Sequence, residues 1–208
     1  MEYQTRAQSS PAIDAGLRQY MLSVYNYMAS GLALTGLVAY MLFQATAVMG
    51  PTGEIVGLTN LGVTLYTGPM MWVVALAPLG IVMYMSFGIQ GMSASRAQTM
   101  FWVFAFLMGL SLSTIFLTYT GASIARVFFI TASTFGAMSI YGYTTKRDLT
   151  NFGSFLFMGL IGIIIASIVN IFMQSPALYY GISILGVLIF VGLTAYDTQK
   201  IKNMYMAY

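Results

Sequence analysis

Neither histidine nor cysteine occurs anywhere in the 208 residues. That double absence rules out thiolate nucleophiles, imidazole bases, disulfides and Cys/His zinc sites. Charge is nearly as scarce, at 6% of residues, where an ordinary soluble domain carries about a quarter. The 8 Lys and Arg against 5 Asp and Glu leave a net charge of +3. They are scattered along the chain, and no patch is dense enough to hold a phosphate backbone, so nucleic acid is not a partner. Absent too is a secretory leader: MEYQTRAQSSPAIDAGLRQY is polar and mixed in charge, and the first apolar segment is expected to stay in the mature protein.

What fills the space is apolar. Hydrophobic residues make up 59% of the chain, and the mean hydropathy is +0.81, which is the composition of an integral membrane protein. Six segments are long enough to cross a hydrocarbon core about 30 Å thick, a distance that takes about 20 helical residues. They lie near 21–46, 68–90, 98–119, 123–143, 153–173 and 177–199, which predicts an all-α polytopic bundle forming one membrane domain over 1–208. Between the first two, residues 48–67 hold Gly50, Pro51, Gly53 and Asn60 and read as a turn-rich loop with Glu54 exposed. The other connections are short, so consecutive spans are expected to run antiparallel.

Basic residues set the orientation, because cytoplasmic loops retain Lys and Arg. Arg6 and Arg18 precede the first span, Arg96 lies between the second and third, Lys146 and Arg147 between the fourth and fifth, and Lys200 and Lys202 after the sixth. Arg126 breaks the pattern, at a position from which a long side chain reaches the outer interface. The N-terminus and the end following Lys200 are therefore expected in the cytoplasm.

Within the spans, small residues recur at helical spacing: Gly159, Gly162, Ala166 and Asn170; Ala105, Gly109 and Ser113; Ala132 and Gly136. Such stripes let helix backbones approach closely, and packing is their common use. Asn170 is an amide at span depth and wants a hydrogen-bond partner. Pro78 is expected to kink the second span. Tyr179, Tyr180, Tyr141, Tyr143 and Trp72 fit aromatic belts near span ends, and the 17 Met residues show no spacing suited to a metal or cofactor. In TTKRDLTN, Asp148 is placed to cap the fifth span.

One acid stands inside a span. Asp197, in VLIFVGLTAYDTQKIK, ends an apolar run just before its basic terminus, and an intramembrane carboxylate needs a reason. From Pro176 to Asp197 an α-helix rises about 32 Å, which puts the carboxylate near the inner boundary of the hydrocarbon. Thr194 lies one turn before it. The modest use of Asp197 is an interfacial pair with Lys200, three residues on. A protease would need a second catalytic acid or a nucleophile with its base, and no catalytic role is expected.

TTKRDLTNFGSFLFMGLIG and FVGLTAYDTQKIKNM resemble the signature regions of the Bax inhibitor-1 family in its bacterial form, and LRQYMLSVYNYMASGLALTGLVAY resembles that family's first span. The resemblance covers essentially the whole chain. It implies a seven-helix fold whose central last helix is wrapped by six others, in the inner membrane of a bacterium, and a pH-sensitive passive calcium leak gated by two aspartates that share a proton. The first aspartate belongs to the Tyr196-Asp197 element, which makes Asp197 the expected pH gate and Ca²⁺ ligand, with Thr194, Arg96 and Asn170 as supporting residues. Arg96 is the residue nearest to where the family carries a basic residue at the cytoplasmic end of the second span. The second aspartate belongs to a seventh helix that the given sequence lacks, and a further apolar helix bearing an acid is expected past Tyr208. No cofactor is expected. The expected partners are calcium and the lipid bilayer. The alternative is a non-transporting regulator that binds other membrane proteins, such as a membrane-bound protease, and such a regulator would tolerate Asn at position 197.

Overall fold

A computed structural model of the chain describes residues 11–207, with side chains from residue 15 onward. Arg6, one of the residues used above to orient the chain, lies outside them. The described elements are α1 (Pro11–Thr46), β1 (Ala47–Met49), β2 (Ile55–Leu58), α2 (Asn60–Tyr66), α3 (Gly68–Gly88) with a 3₁₀ turn (Ile89–Gly91) after it, α4 (Ala94–Leu112), α5 (Ile115–Thr118), α6 (Gly121–Thr144), α7 (Thr150–Met173) and α8 (Pro176–Met206). Six stretches are long and apolar enough to span a membrane: Ala15–Thr46, Gly68–Gly91, Ala94–Thr118, Gly121–Thr144, Thr150–Met173 and Pro176–Met206. The all-α architecture with six spans is as expected.

The boundaries differ where polar helix formers extend an apolar run. α1 begins well before residue 21, because AIDAGLRQY contains nothing that stops a helix beyond its single Gly. α8 continues past residue 199 to Met206, so Lys200 and Lys202 are helical rather than part of a following tail. The third span is interrupted instead of continuous. The Ser113 hydroxyl donates to the Leu110 carbonyl at 2.6 Å and the Thr114 hydroxyl to the Ser111 carbonyl at 3.2 Å, and hydroxyls so placed compete with the backbone ladder. The second span runs through Pro78 without ending there.

The stretch 48–67 is not a plain loop. β1 and β2 pair antiparallel around Pro51-Thr52-Gly53, with Ala47 opposite Leu58 and an irregularity after Val48. Gly53 takes a φ of 84° that only glycine adopts cheaply. Thr59 then caps α2, its hydroxyl accepting from the Gly62 amide at 3.2 Å. Strands of three and four residues are too short to show a period, which is why turn residues dominate the pattern. Glu54 is exposed, as expected.

The described helices fall into two compact units. One comprises residues 23–126; the other takes the described parts of 1–22 and 127–208. In the first, α1 meets α4 along the small stripe Ala105, Gly109 and Ser113. The Thr35 hydroxyl donates to the Ala105 carbonyl at 2.8 Å, and a Cβ at Gly109 would lie 2.7 Å from the Thr35 carbonyl oxygen. Thr46 and Ser113 are fully buried and joined by the Tyr66 hydroxyl, 2.7 Å from Ser113 Oγ and 3.2 Å from Thr46 Oγ1. Buried hydroxyls of this kind are satisfied by one another and by helix carbonyls.

In the second unit α7 and α8 form an antiparallel hairpin, and α6 packs on α8. A Cβ at Gly142 of α6 would stand 2.3 Å from the Ala195 carbonyl oxygen, so the two backbones touch there. The stripes of α7 and α6 are only partly packing seams. Gly159 faces Ile189 closely, whereas Gly162 and Gly136 meet nothing within 4 Å and Ala132 is exposed.

Candidate functional site

The site is built from helical spacing. On α8, Phe190, Leu193, Thr194, Asp197 and Lys200 recur every three or four residues and share one face; on α7, Ser154, Phe157 and Leu160 do the same. Together with Gly153 and Tyr196 these faces line a cavity of about 610 Å³. Gly153 is required by the contact: a Cβ there would lie 2.4 Å from the Tyr196 ring. The floor is apolar and the polar atoms gather toward the end of α8.

Asp197 is exposed at this cavity. Lys200 borders it as well, yet among the described residues no hydrogen bond or ion pair within 4 Å reaches the Asp197 carboxylate. Thr194 lines the same space and donates its hydroxyl to the Phe190 carbonyl at 2.8 Å, while Ser154 donates to the Thr150 carbonyl at 3.1 Å. Each of these hydroxyl oxygens keeps lone pairs free to accept. No group of three or more acids, His or Cys suited to holding a metal occurs among the described residues.

Two of the supporting residues stand elsewhere. Arg96 belongs to the other unit, where its guanidinium donates to the Tyr84 hydroxyl and lies 5.8 Å from the centre of that ring. A cation over an aromatic face is held by the ring quadrupole and needs no carboxylate. Asn170 sits at the opposite end of the α7–α8 hairpin from Asp197. Its Oδ1 accepts from the Ser175 amide at 3.0 Å, and its carbonyl accepts from the Gln174 amide at 2.8 Å. The hydrogen-bond partner that this amide wants is thus supplied by the turn between α7 and α8.

That turn contains Gln174 at φ 50°, a left-handed conformation in which an L side chain is strained. Helices commonly end on glycine for this reason. Gln174→Gly is expected to raise stability by about 0.5–1 kcal/mol, read as a higher midpoint of thermal unfolding in detergent.

The basic end of the hairpin is more built than its sequence suggests. The Gln199 side chain is buried; its Oε1 accepts from the Leu149 amide at 2.8 Å and its Nε2 donates to the Arg147 carbonyl at 2.8 Å. Lys202 donates to the Tyr143 carbonyl at 2.7 Å with its ammonium 5.1 Å from the centre of the Tyr143 ring. Tyr143 is therefore a partner of Lys202, while Tyr141, Tyr179, Tyr180 and Trp72 are exposed as belt residues would be. In a stretch reading DTQKIK, Gln199 looks like part of a solvated tail. The one signal for it is its position on the stripe of Gly192 and Ala195.

Asp148 lies one residue outside the expected cap. The cap position of α7 is Leu149, which is drawn into the core, and Asp148 Oδ1 accepts from the Thr150 hydroxyl at 2.6 Å and the Thr150 amide at 2.9 Å. These bonds, the hydroxyl's first, hold the Asp148 carboxyl below its ordinary pKa.

The family model described as Bax1-I, inhibitor of apoptosis-promoting Bax1, matches residues 17–208. The uncharacterized protein RP147 of Rickettsia prowazekii is 49% identical over 201 residues, covering 97% of this chain and 80% of its own length. The inner membrane protein YbhL of Escherichia coli is 46% identical over 194 residues, covering 91% of this chain and 76% of its own. A membrane protein of Streptococcus pyogenes, SpyM3_0260, is 34% identical over 194 residues, with 93% and 80% covered. No solved structure matches the chain. With the signature stretches on α7 and α8, six apolar helices and a family match across nearly its whole length, the chain belongs to the Bax inhibitor-1 family and is an integral protein of the inner membrane.

Proposed function

We propose that this protein is a passive, pH-sensitive calcium leak of the inner membrane, without catalytic activity, whose path ends at Asp197 with the end of α8 facing the cytoplasm. The observation that supports the reading most is the carboxylate itself: the acid on a membrane-spanning helix stands at a cavity, with no hydrogen bond or ion pair within 4 Å among the described residues and only a longer-range attraction to Lys200. A carboxylate held in a fold for packing alone is normally paired, because an unpaired charge near hydrocarbon is costly.

The chemistry follows from the groups facing the cavity. Lys200 and Tyr196 are the other titratable side chains lining it; α7 contributes Ser154 and no charge. Ca²⁺ is a hard cation that takes oxygen ligands, and Asp197 with the hydroxyl oxygens of Thr194 and Ser154 supplies such oxygens at the mouth. The four oxygens of these three side chains fall short of the six to eight that retain calcium. Calcium is cargo in this reading, weakly held, while Lys200 competes with it for the carboxylate.

Gating needs two packings of different charge. The family resemblance implies a second aspartate opposite Asp197, and two carboxylates brought together hold one proton between them. Loss of that proton makes them repel and frees oxygen ligands, so acid closes the path and neutral pH opens it. The test is calcium uptake into liposomes that carry the purified protein and an internal calcium dye. Uptake above protein-free liposomes, faster at neutral than at acidic pH, is expected. Uptake no faster than in protein-free liposomes would leave the regulator of other membrane proteins as the better account.

A further inference from the structure

We infer that Gln199 is a positioning residue for Asp197: its buried amide, bonded at both ends to the loop between α6 and α7, sets the rotation of α8 about its own axis and so the side on which Asp197 stands. Residues 197 and 199 are separated by about 200° around an α-helix, so whatever turns Gln199 inward turns Asp197 outward. The inward bonds are made to main-chain atoms, the Leu149 amide and the Arg147 carbonyl, each at 2.8 Å. Both ends of the amide are used, which leaves one orientation of the side chain that satisfies it.

The rest of the same face supports the lock. Ala195, one turn earlier, lies under Gly142 at backbone contact, and Lys202, one turn later, bonds the Tyr143 carbonyl at 2.7 Å. An apolar helix pair on its own can slide or roll, because alternative dispersion contacts cost little and the hydrocarbon offers no preference. Hydrogen bonds to fixed backbone groups cannot follow such a roll, and a buried amide left without partners is expensive. The pin lies within one helical turn of Asp197, so the rotation it sets is passed to the carboxylate through the rigid helix. This function for Gln199 rests on Asp197 acting as the gate, but the rotation it sets is measurable without any flux.

The absence of native cysteine makes the measurement direct. Cysteines replace Asp197, which is exposed, or Thr198, which is buried, one at a time. Their rates of reaction with a water-soluble maleimide are compared in inside-out membrane vesicles. With Gln199 intact, position 197 should react faster than 198. In Gln199→Met, which keeps side-chain length and removes both bonds, the ratio of the two rates should fall by about tenfold, the scale set by two backbone hydrogen bonds. Lys202→Met should move the ratio in the same direction, and it decides the matter if Gln199→Met does not fold. For the folded variants, calcium uptake is then followed against pH, and a changed ratio with unchanged uptake separates the positioning role from the gate. A ratio that stays put in the folded variants overturns the proposal.

Discussion

Gly142→Ala is expected to lower the thermal unfolding midpoint in detergent by about 10 °C, while Gly136→Ala, two turns earlier on the same helix, leaves it unchanged or raises it. The added methyl at 142 would stand 2.3 Å from the Ala195 carbonyl oxygen and 3.0 Å from its Cα. Those are backbone atoms, which cannot swing aside as a side chain can, so α6 and α8 must separate. Overpacking of this kind costs about 1–3 kcal/mol, and a backbone contact belongs at the upper end. At Gly136 a methyl meets nothing within 4 Å, and alanine gains the roughly 1 kcal/mol by which it exceeds glycine as a helix former. Equal midpoints for the two variants would show that α6 and α8 do not meet at 142. Separation there would also loosen Gln199 and Lys202, which bond the loop and the end of α6 just beyond.

Asp197→Asn is expected to abolish the pH dependence of calcium uptake. In the gate proposed above, the proton that Asp197 would share at acidic pH with the second aspartate implied by the family resemblance favours the closed packing. Deprotonation toward neutral pH restores repulsion and oxygen ligands, so flux rises with pH. Couplings of this type amount to about 5- to 150-fold, so the neutral-to-acidic flux ratio should fall from about fivefold or more to about one. Asparagine neither titrates nor carries the charge, whichever state it favours. It stays polar and close in size at an exposed position, so expression and unfolding midpoint should hold. Asp197→Glu keeps the titration and should keep the pH dependence. A variant with the wild-type ratio would remove Asp197 from the gate.

Much of the frame was legible in the residues because it follows from one-dimensional quantities. Apolar run length gives the spans, and scarcity of charge makes Asp197 conspicuous without any coordinates. That Thr194 lines the same cavity as Asp197 follows from spacing, since three residues along a helix is a shared face. The small stripe of α4 is a packing seam for the same reason, while the stripe of Ala132 and Gly136 shows that spacing alone does not say whether a neighbour is present. The need of Asn170 for a partner is legible from its depth in the span, but the partner is local, the Ser175 amide.

Composition and periodicity by themselves determined that the 208 residues carry six apolar helices long enough to span a membrane and one acid inside a span, because hydrocarbon imposes helix length and excludes charge at every position independently. Tertiary structure alone decided which groups stand together: the hairpin and short helix in 48–67, the pairing of Arg96 with Tyr84, and the placement of Gln199 between the Leu149 amide and the Arg147 carbonyl. Those contacts join residues far apart along the chain, or strands too short to repeat a pattern. No periodicity encodes them, since a buried amide and a solvated one look the same until the backbone that satisfies it is brought alongside.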